Sequence, residues 1–316
     1  MKNILSILIC LFLFASLKAQ QDPQYTQFMF NKLSFNPAYA GSVNGTCITG
    51  LYRNQWVSFE GNPITQVLSL HTRLKNDRVG LGIAMVRDKI GPSTSVNVQL
   101  NYAYRFQLGE GDLALGLMGN IRDYKLDLSK ETLNDNFDLL VDAPERNKTL
   151  FNAGIGAYYE QQNFYAGLSV PRLIKNDISL LPDGVPSNME QSQEETHGFL
   201  MAGAILPIAE NIKFKPAGLL KYAVNSPFSL DIHAGFIFYD MFHTGLTYRT
   251  GQSSFTDLGE SIDLVMQIYL NDSFVVGGAF DFTLSKLQDY NSGSFEILLQ
   301  YCHQRARDKV TNPRFF

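Results

Sequence analysis

Strict alternation of apolar and polar residues runs through the chain from Thr46 onward, and period-two patterning means β-strands with one apolar face. In the clearest case Val96, Val98, Leu100, Tyr102, Tyr104 and Phe106 alternate with Asn97, Gln99, Asn101, Ala103, Arg105 and Gln107. A second stretch sets Phe228, Leu230, Ile232, Ala234, Phe236 and Phe238 opposite Ser229, Asp231 and His233. A third sets Ile262, Leu264, Met266, Ile268 and Leu270 opposite Ser261, Asp263 and Gln267. The pattern predicts about fourteen strands: 46–57, 64–75, 78–88, 94–108, 112–126, 149–160, 163–170, 196–206, 211–225, 228–239, 241–251, 260–270, 273–286 and 293–305. Many exceed the usual five or six residues of strands in soluble sheets.

Alternation alone suits a soluble sandwich and a membrane barrel equally, because both hide one face. The connections separate them. After every second strand the turn is short: Asn76-Asp77, Gly109–Gly111, Gln161-Gln162, Pro207–Glu210, Asp240 and Asn271-Asp272. The intervening connections include the longest ones, 127–148 and 171–195. Short turns at one end and longer loops at the other are the asymmetry of an outer-membrane β-barrel. An even strand count then puts both termini in the periplasm.

Composition agrees. The chain of 316 residues is 45% hydrophobic and only 18% charged, against about 25% in ordinary soluble domains. Its apolar and aromatic content excludes a disordered chain. The balance of 26 Lys+Arg against 30 Asp+Glu argues against a nucleic-acid binder. A barrel gives the deficit a place, since one whole face meets lipid, where charge is costly.

Residues 1–19 read as a secretory leader: a basic start at Lys2, an apolar run from Ile4 to Phe14, and small or polar residues up to Ala19. Leu17 is bulkier than a cleavage site prefers. Ile9 before Cys10 argues against a lipoprotein. Cleavage after Ala19 leaves 316 − 19 = 297 residues, with 26 − 2 = 24 basic against 30 acidic side chains, a net charge near −6. No later segment approaches the roughly 18–20 apolar residues of a membrane helix, so a membrane would hold the chain only through a closed barrel.

The expected inner face carries Arg53, Gln55, His71, Arg73, Asn97, Gln99, Arg105, Lys213, Lys215, Lys221, Asp231 and Asp281, which fit a polar, wet or plugged lumen. Small residues join them: Gly80, Gly82, Gly154, Gly156, Ala202, Ala204, Gly277 and Ala279. They leave room for water, a plug or a ligand, or they merely relieve crowding in a curved sheet. Cys47 and Cys302 share this face on the first and last strands, so a disulfide could close the seam, although adjacent-strand geometry is demanding.

Chemistry is sparse. His71, His197, His233, His243 and His303 are scattered over separate strands, and no HExxH, GxSxG, Walker or CxxC motif occurs. No catalytic residue, metal ligand or cofactor site is assigned. A Ser/His/acid group assembled across strands would make the protein a hydrolase, but lumen or rim histidines are the simpler reading. Glu190, Glu194 and Glu195 lack calcium-loop spacing and read as a solvated loop. Lys213, Lys215 and Lys221 form a stripe that would attract an anion or simply line the lumen.

Residues 20–43 differ from the rest. They are aromatic-rich and without a clean strand period, and Asn36-Pro37 marks a turn. Tyr25, Phe28, Phe30, Phe35 and Tyr39 need cover, either inside the barrel as a plug or on a partner. A short helix across 24–33 is expected.

Several motifs here resemble the PorP/SprF family of type IX secretion proteins. They are Asp22–Tyr25, Gln27–Asn31 and Asn36-Pro37-Ala38-Tyr39-Ala40-Gly41, then Arg53–Trp56, Asp88–Pro92 and the ending Asn312–Phe316. The similarity covers essentially the whole mature chain. It implies a fourteen-stranded barrel of the fatty-acid-transporter class. It further implies association with periplasmic ring and peptidoglycan-linked components, and export or surface retention of one large adhesin in gliding bacteria and their relatives. The family offers no catalytic residues to transfer. The organisation expected is a leader over 1–19, a plug or interaction segment over 20–43, a barrel over 44–306 and a periplasmic tail over 307–316. A small-molecule channel is the alternative reading.

Overall fold

The structure, a computed structural model, describes residues 23–75, 77–129, 145–178, 193–224, 228–250 and 259–304. The expected leader, the tail over 307–316, Asn312–Phe316 and Glu190 lie outside these residues. Fifteen strands form a single antiparallel sheet. In chain order they are β1 (Gly45–Asn54), β2 (Ile64–Arg73), β3 (Val79–Ile90), β4 (Ser93–Leu108), β5 (Gly111–Asp127), β6 (Glu145–Gln161), β7 (Phe164–Val170) and β8 (His197–Ala204). They continue as β9 (Leu206–Ala209), β10 (Ile212–Ala223), β11 (Ser229–Phe238), β12 (Phe242–Arg249), β13 (Ser261–Tyr269), β14 (Phe274–Thr283) and β15 (Ser294–Gln304). β9 prolongs β8 past Ile205 along the same neighbour, β10, with a register shift at Ile212/Lys213. The barrel therefore has fourteen staves, as the alternation predicts.

Closure is complete. β15 pairs with β1 from Gly45↔Gln304 to Asn54↔Phe295, and β10 pairs with β11. A closed barrel leaves no unpaired edge, which lipid would not tolerate. The outer face is apolar along the strands, with Leu100 62%, Phe151 63% and Leu168 58% exposed. No helix among the described residues is long and apolar enough to cross a membrane.

The two rims differ as the sequence suggests. β4 passes to β5 through 109–110 and β6 to β7 through 162–163, whereas β7 and β8 are separated by 171–196 at the opposite rim. Not every connection at the long-loop rim is long: β3 and β4 extend together and turn there through Gly91-Pro92. Gly91 takes a φ of 53°, and its N–H reaches Gly61 O at 2.8 Å.

Residues 23–44 lie inside the barrel. The expected helix across 24–33 is absent; single 3-10 turns cover Phe28–Phe30, Lys32–Ser34 and Pro37–Tyr39 instead. Several carbonyls along this path are met locally or by wall side chains, Gln27 O by Phe30 N, Phe35 O by Ser169 and Ala40 O by Arg105, so a long helix is not the segment's only source of backbone partners. Pro23 lines the same cavity as Asp88, Ser93 and Tyr124 at the long-loop end. The segment then works across the lumen to enter β1 at the short-turn end, which Gly45 shares with Gln304.

One face assignment is reversed. Ala202 and Ala204 point outward, and Phe199, Met201 and Gly203 point in. The expectation that bulky apolar residues face lipid fails here because the lumen is itself apolar. The ring of Phe199 lies 5.2 Å from that of Phe35, edge to face.

Candidate functional site

The chemistry that the sequence concentrates is found where residues 23–44 meet the barrel wall. At the long-loop half the contact is ionic. The N–H groups of Thr26 and Gln27 donate to the two carboxylate oxygens of Glu296, at 2.5 and 3.0 Å. Arg53 Nη1 lies 2.7 Å from Glu296 Oε1 and 2.7 Å from Asp281 Oδ2, and it also donates to Thr26 Oγ1 at 2.9 Å. All four side chains are buried. An ionised group buried this deeply persists only when paired and hydrogen-bonded; the wall supplies the pairing, and the inner segment adds hydrogen bonds to it.

A second set follows along the sheet. Lys221 Nζ donates to Asp231 at 2.9 Å and to Gln24 Oε1 at 3.0 Å, and Arg249 Nε donates to Asp231 at 3.3 Å. Of the expected polar, wet or plugged lumen, this region is polar and filled by the inner segment, with Lys221 and Arg249 paired to Asp231.

The middle of the segment is apolar. Phe28, Met29, Phe30 and Phe35 are all at least 95% buried, each contributing about 1.5–3 kcal/mol relative to exposure. Lys215 Nζ lies 4.0 Å from the Phe30 ring centroid. Lys32 is buried between the rings of Tyr165 at 4.4 Å and Tyr39 at 5.0 Å. Burial lowers the Lys32 ammonium to about 7, partly offset by Glu160. Burial likewise pushes the Tyr39 phenol up to about 12.

The motif Asn36-Pro37-Ala38-Tyr39-Ala40-Gly41 is a docking strip. Asn36 accepts from Ala38 N at 2.9 Å, capping the turn that Pro37 opens, and donates to the Ala157 carbonyl at 2.9 Å. Arg105 donates to the carbonyls of Ala40 at 2.8 Å and Ala38 at 3.3 Å. Gly41 N donates to His71 Nδ1, and Arg73 Nε donates to Gly41 O at 2.7 Å. Gly41 holds a φ of 70°, which disfavours a side chain.

The wall glycines explain themselves at the same contacts. A methyl group at Gly80 would overlap the Ala40 carbonyl, one at Gly116 the Ala38 backbone, and one at Gly156 the Asn36 side chain. They serve close backbone approach more than relief of crowding. The Ala residues of the motif are small for the reciprocal reason.

The other predicted residues are dispersed. In the Arg53–Trp56 stretch, Gln55 N bonds Pro63 O at 2.9 Å and Trp56 N bonds Ser294 Oγ at 3.0 Å, tying the first long-rim loop to β15. Cys47 and Cys302 are directly opposed and form a disulfide, with Cα atoms 4.1 Å apart. Lys213 pairs with Asp240 at 2.6 Å, so the three lysines of the stripe have three different partners and form no joint anion site. His233 and His243 meet at 3.2 Å between ring nitrogens, whereas His303 is exposed on the outer face. No group of three or more His, Cys, Asp or Glu among the described residues could hold a metal ion.

Glu194 is not part of a solvated loop. It is 4% exposed and receives Arg122 at 3.0 Å, Arg172 at 3.5 Å and Asn176 at 2.9 Å. Its single charge is shared between two guanidiniums. Glu296, Gly116 and Lys32 were not singled out by the sequence. The first two share the inward parity of their strands, which was the available signal; Lys32 had none.

The comparisons fit this geometry. A family model described as type IX secretion system membrane protein PorP/SprF matches residues 17–301. The chain belongs to the PorP/SprF family. It is a membrane component of type IX secretion, built as an outer-membrane β-barrel. No curated protein matches it in sequence.

Among solved structures it is similar to the deltaS2S3 mutant of TodX, a monoaromatic hydrocarbon channel, at 10% identity and a TM-score of 0.51, covering 86% of this chain and 94% of that one. It is also similar to Omp33 of Acinetobacter baumannii, at 8% identity and a TM-score of 0.49, covering 83% and 100%. A FadL homologue of Pseudomonas aeruginosa aligns at 11% identity and a TM-score of 0.47, over 89% and 94%. At such identities the TodX likeness concerns the fold alone.

Proposed function

We propose that this barrel serves type IX secretion as an anchor and not as a conduit. It is non-enzymatic, supports export or surface attachment of a partner adhesin, and holds periplasmic ring and peptidoglycan-linked components at its short-turn end. A leader over 1–19 directs its export, and the end shared by Gly45 and Gln304 faces the periplasm. Residues 20–43 act as the plug.

The observation that carries this reading is the contact of the Ala38 and Ala40 backbone with Gly116 and Gly80, in the interior a passing chain would have to cross. A folded or extended substrate would have to displace a segment held by Glu296 at one end and Arg105 at the other. A small-molecule channel of the fatty-acid-transporter class would need the same displacement.

Deletion of the gene tests the proposal. Loss of surface display of a large adhesin, with small-molecule uptake unchanged, is the expected result. Co-purification in mild detergent should recover ring components or the adhesin. Unchanged display together with impaired uptake of a small apolar solute would favour the channel.

A further inference from the structure

A cavity of about 230 Å3 lies in the long-loop half of the lumen, between the inner segment, the wall formed by β3–β5, and residues of the connection from β7 to β8. Its lining divides by chemistry. Asn97 and Gln99, successive inward residues of β4, are each 6% exposed, and their side-chain oxygens Oδ1 and Oε1 have no hydrogen-bond partner. Tyr25, Phe35 and Phe199, all buried, give it an apolar side. The charges at its rim are engaged: Glu194 with Arg122 and Arg172, Glu195 with Lys175 at 3.6 Å, and Asp88 with the Thr65 hydroxyl at 2.6 Å.

Each feature restricts the occupant. Buried amide oxygens without donors favour a ligand rich in O–H or N–H groups. A purely apolar molecule would leave them unpaired. A charged one would have to displace these rim contacts. Aromatic faces beside the amides suit a molecule that also presents a C–H surface. A pyranose ring meets all these conditions.

We propose that this cavity binds a neutral saccharide unit. Its hydroxyls donate to Asn97 Oδ1 and Gln99 Oε1, and its C–H face lies against Phe35 or Phe199. A free sugar and a glycan carried on a surface macromolecule share this chemistry. The inference stands on the cavity and does not require the anchoring role proposed above.

The test uses the full-length protein in a detergent without a sugar headgroup, titrated with methyl glucoside, methyl mannoside and N-acetylglucosamine, with diglycine as a charged control. Saturable binding of at least one sugar, weakened tenfold or more by Asn97→Leu together with Gln99→Leu, is the expected result. Heat-modifiable gel migration checks that the variant is folded, and Gln99→Met alone is used if it is not. The same glycan, free and then linked to a carrier protein, identifies the source. The proposal is overturned by absence of binding, by binding that these substitutions leave unchanged, or by binding of diglycine alone.

Discussion

Arg53 and Glu296 oppose each other across the β1–β15 seam, 2.7 Å apart, and the same carboxylate accepts the backbone N–H groups of Thr26 and Gln27. One ion pair thus fastens both the closure of the barrel and the start of the inner segment. Removing one member of a buried pair leaves the other uncompensated, at a cost of about 3–5 kcal/mol. Glu296→Ala should therefore lower the thermal transition and expose residues 23–27 to protease. Equal protease resistance in the variant and the parent would contradict this role.

Two glycines on one strand should behave oppositely. Gly116→Val drives a side chain into the Ala38 backbone, whereas the space beside Gly119 is open. Overpacking of this kind costs about 1–3 kcal/mol. Denaturant titration should show Gly116→Val destabilised by that order and Gly119→Val close to the parent. Equal effects would mean that strand propensity, and not docking, governs the glycine.

Lys32 makes the docked state depend on pH. Its pKa is about 7 when buried, against 10.5 when exposed. Between those values the undocked form binds more protons, so docking should gain stability as pH rises from about 7 toward 10.5, and stop changing below about 7. Lys32→Met should abolish this slope without loss of the fold. Protease protection of the inner segment, measured from pH 6 to 10, reads the difference. A slope that persists in the variant would assign it to another group.

The Cys47–Cys302 bond predicts a thiol count. If the proposed leader is cleaved and takes Cys10 with it, the unreduced mature protein should yield no reactive thiol after denaturation. Two thiols would contradict the bond. Replacing both cysteines with serine should lower stability by about 2–5 kcal/mol, because the bridge closes a loop of nearly the whole barrel.

Much of the barrel is legible from alternation, because lipid on one side imposes a rule at every second residue. Stave number, rim asymmetry and the opposition of Cys47 and Cys302 all follow from local pattern. The contents of the lumen do not. Phe199 and Met201 face inward because Phe35, more than 160 positions earlier, makes that region apolar, and no local period encodes so distant a partner. The same holds for Asn36–Gly41. Its residue types mark a turn, but the reason for Ala38 and Ala40 is found at Gly116 and Gly80 on other strands.

The occupied lumen is tested most directly by single-channel recording of the purified protein in a planar lipid bilayer. The arrangement of residues 23–44 predicts a silent barrel, with no sustained conductance at moderate voltage. Stable, open-state conductance from the unmodified protein would contradict it.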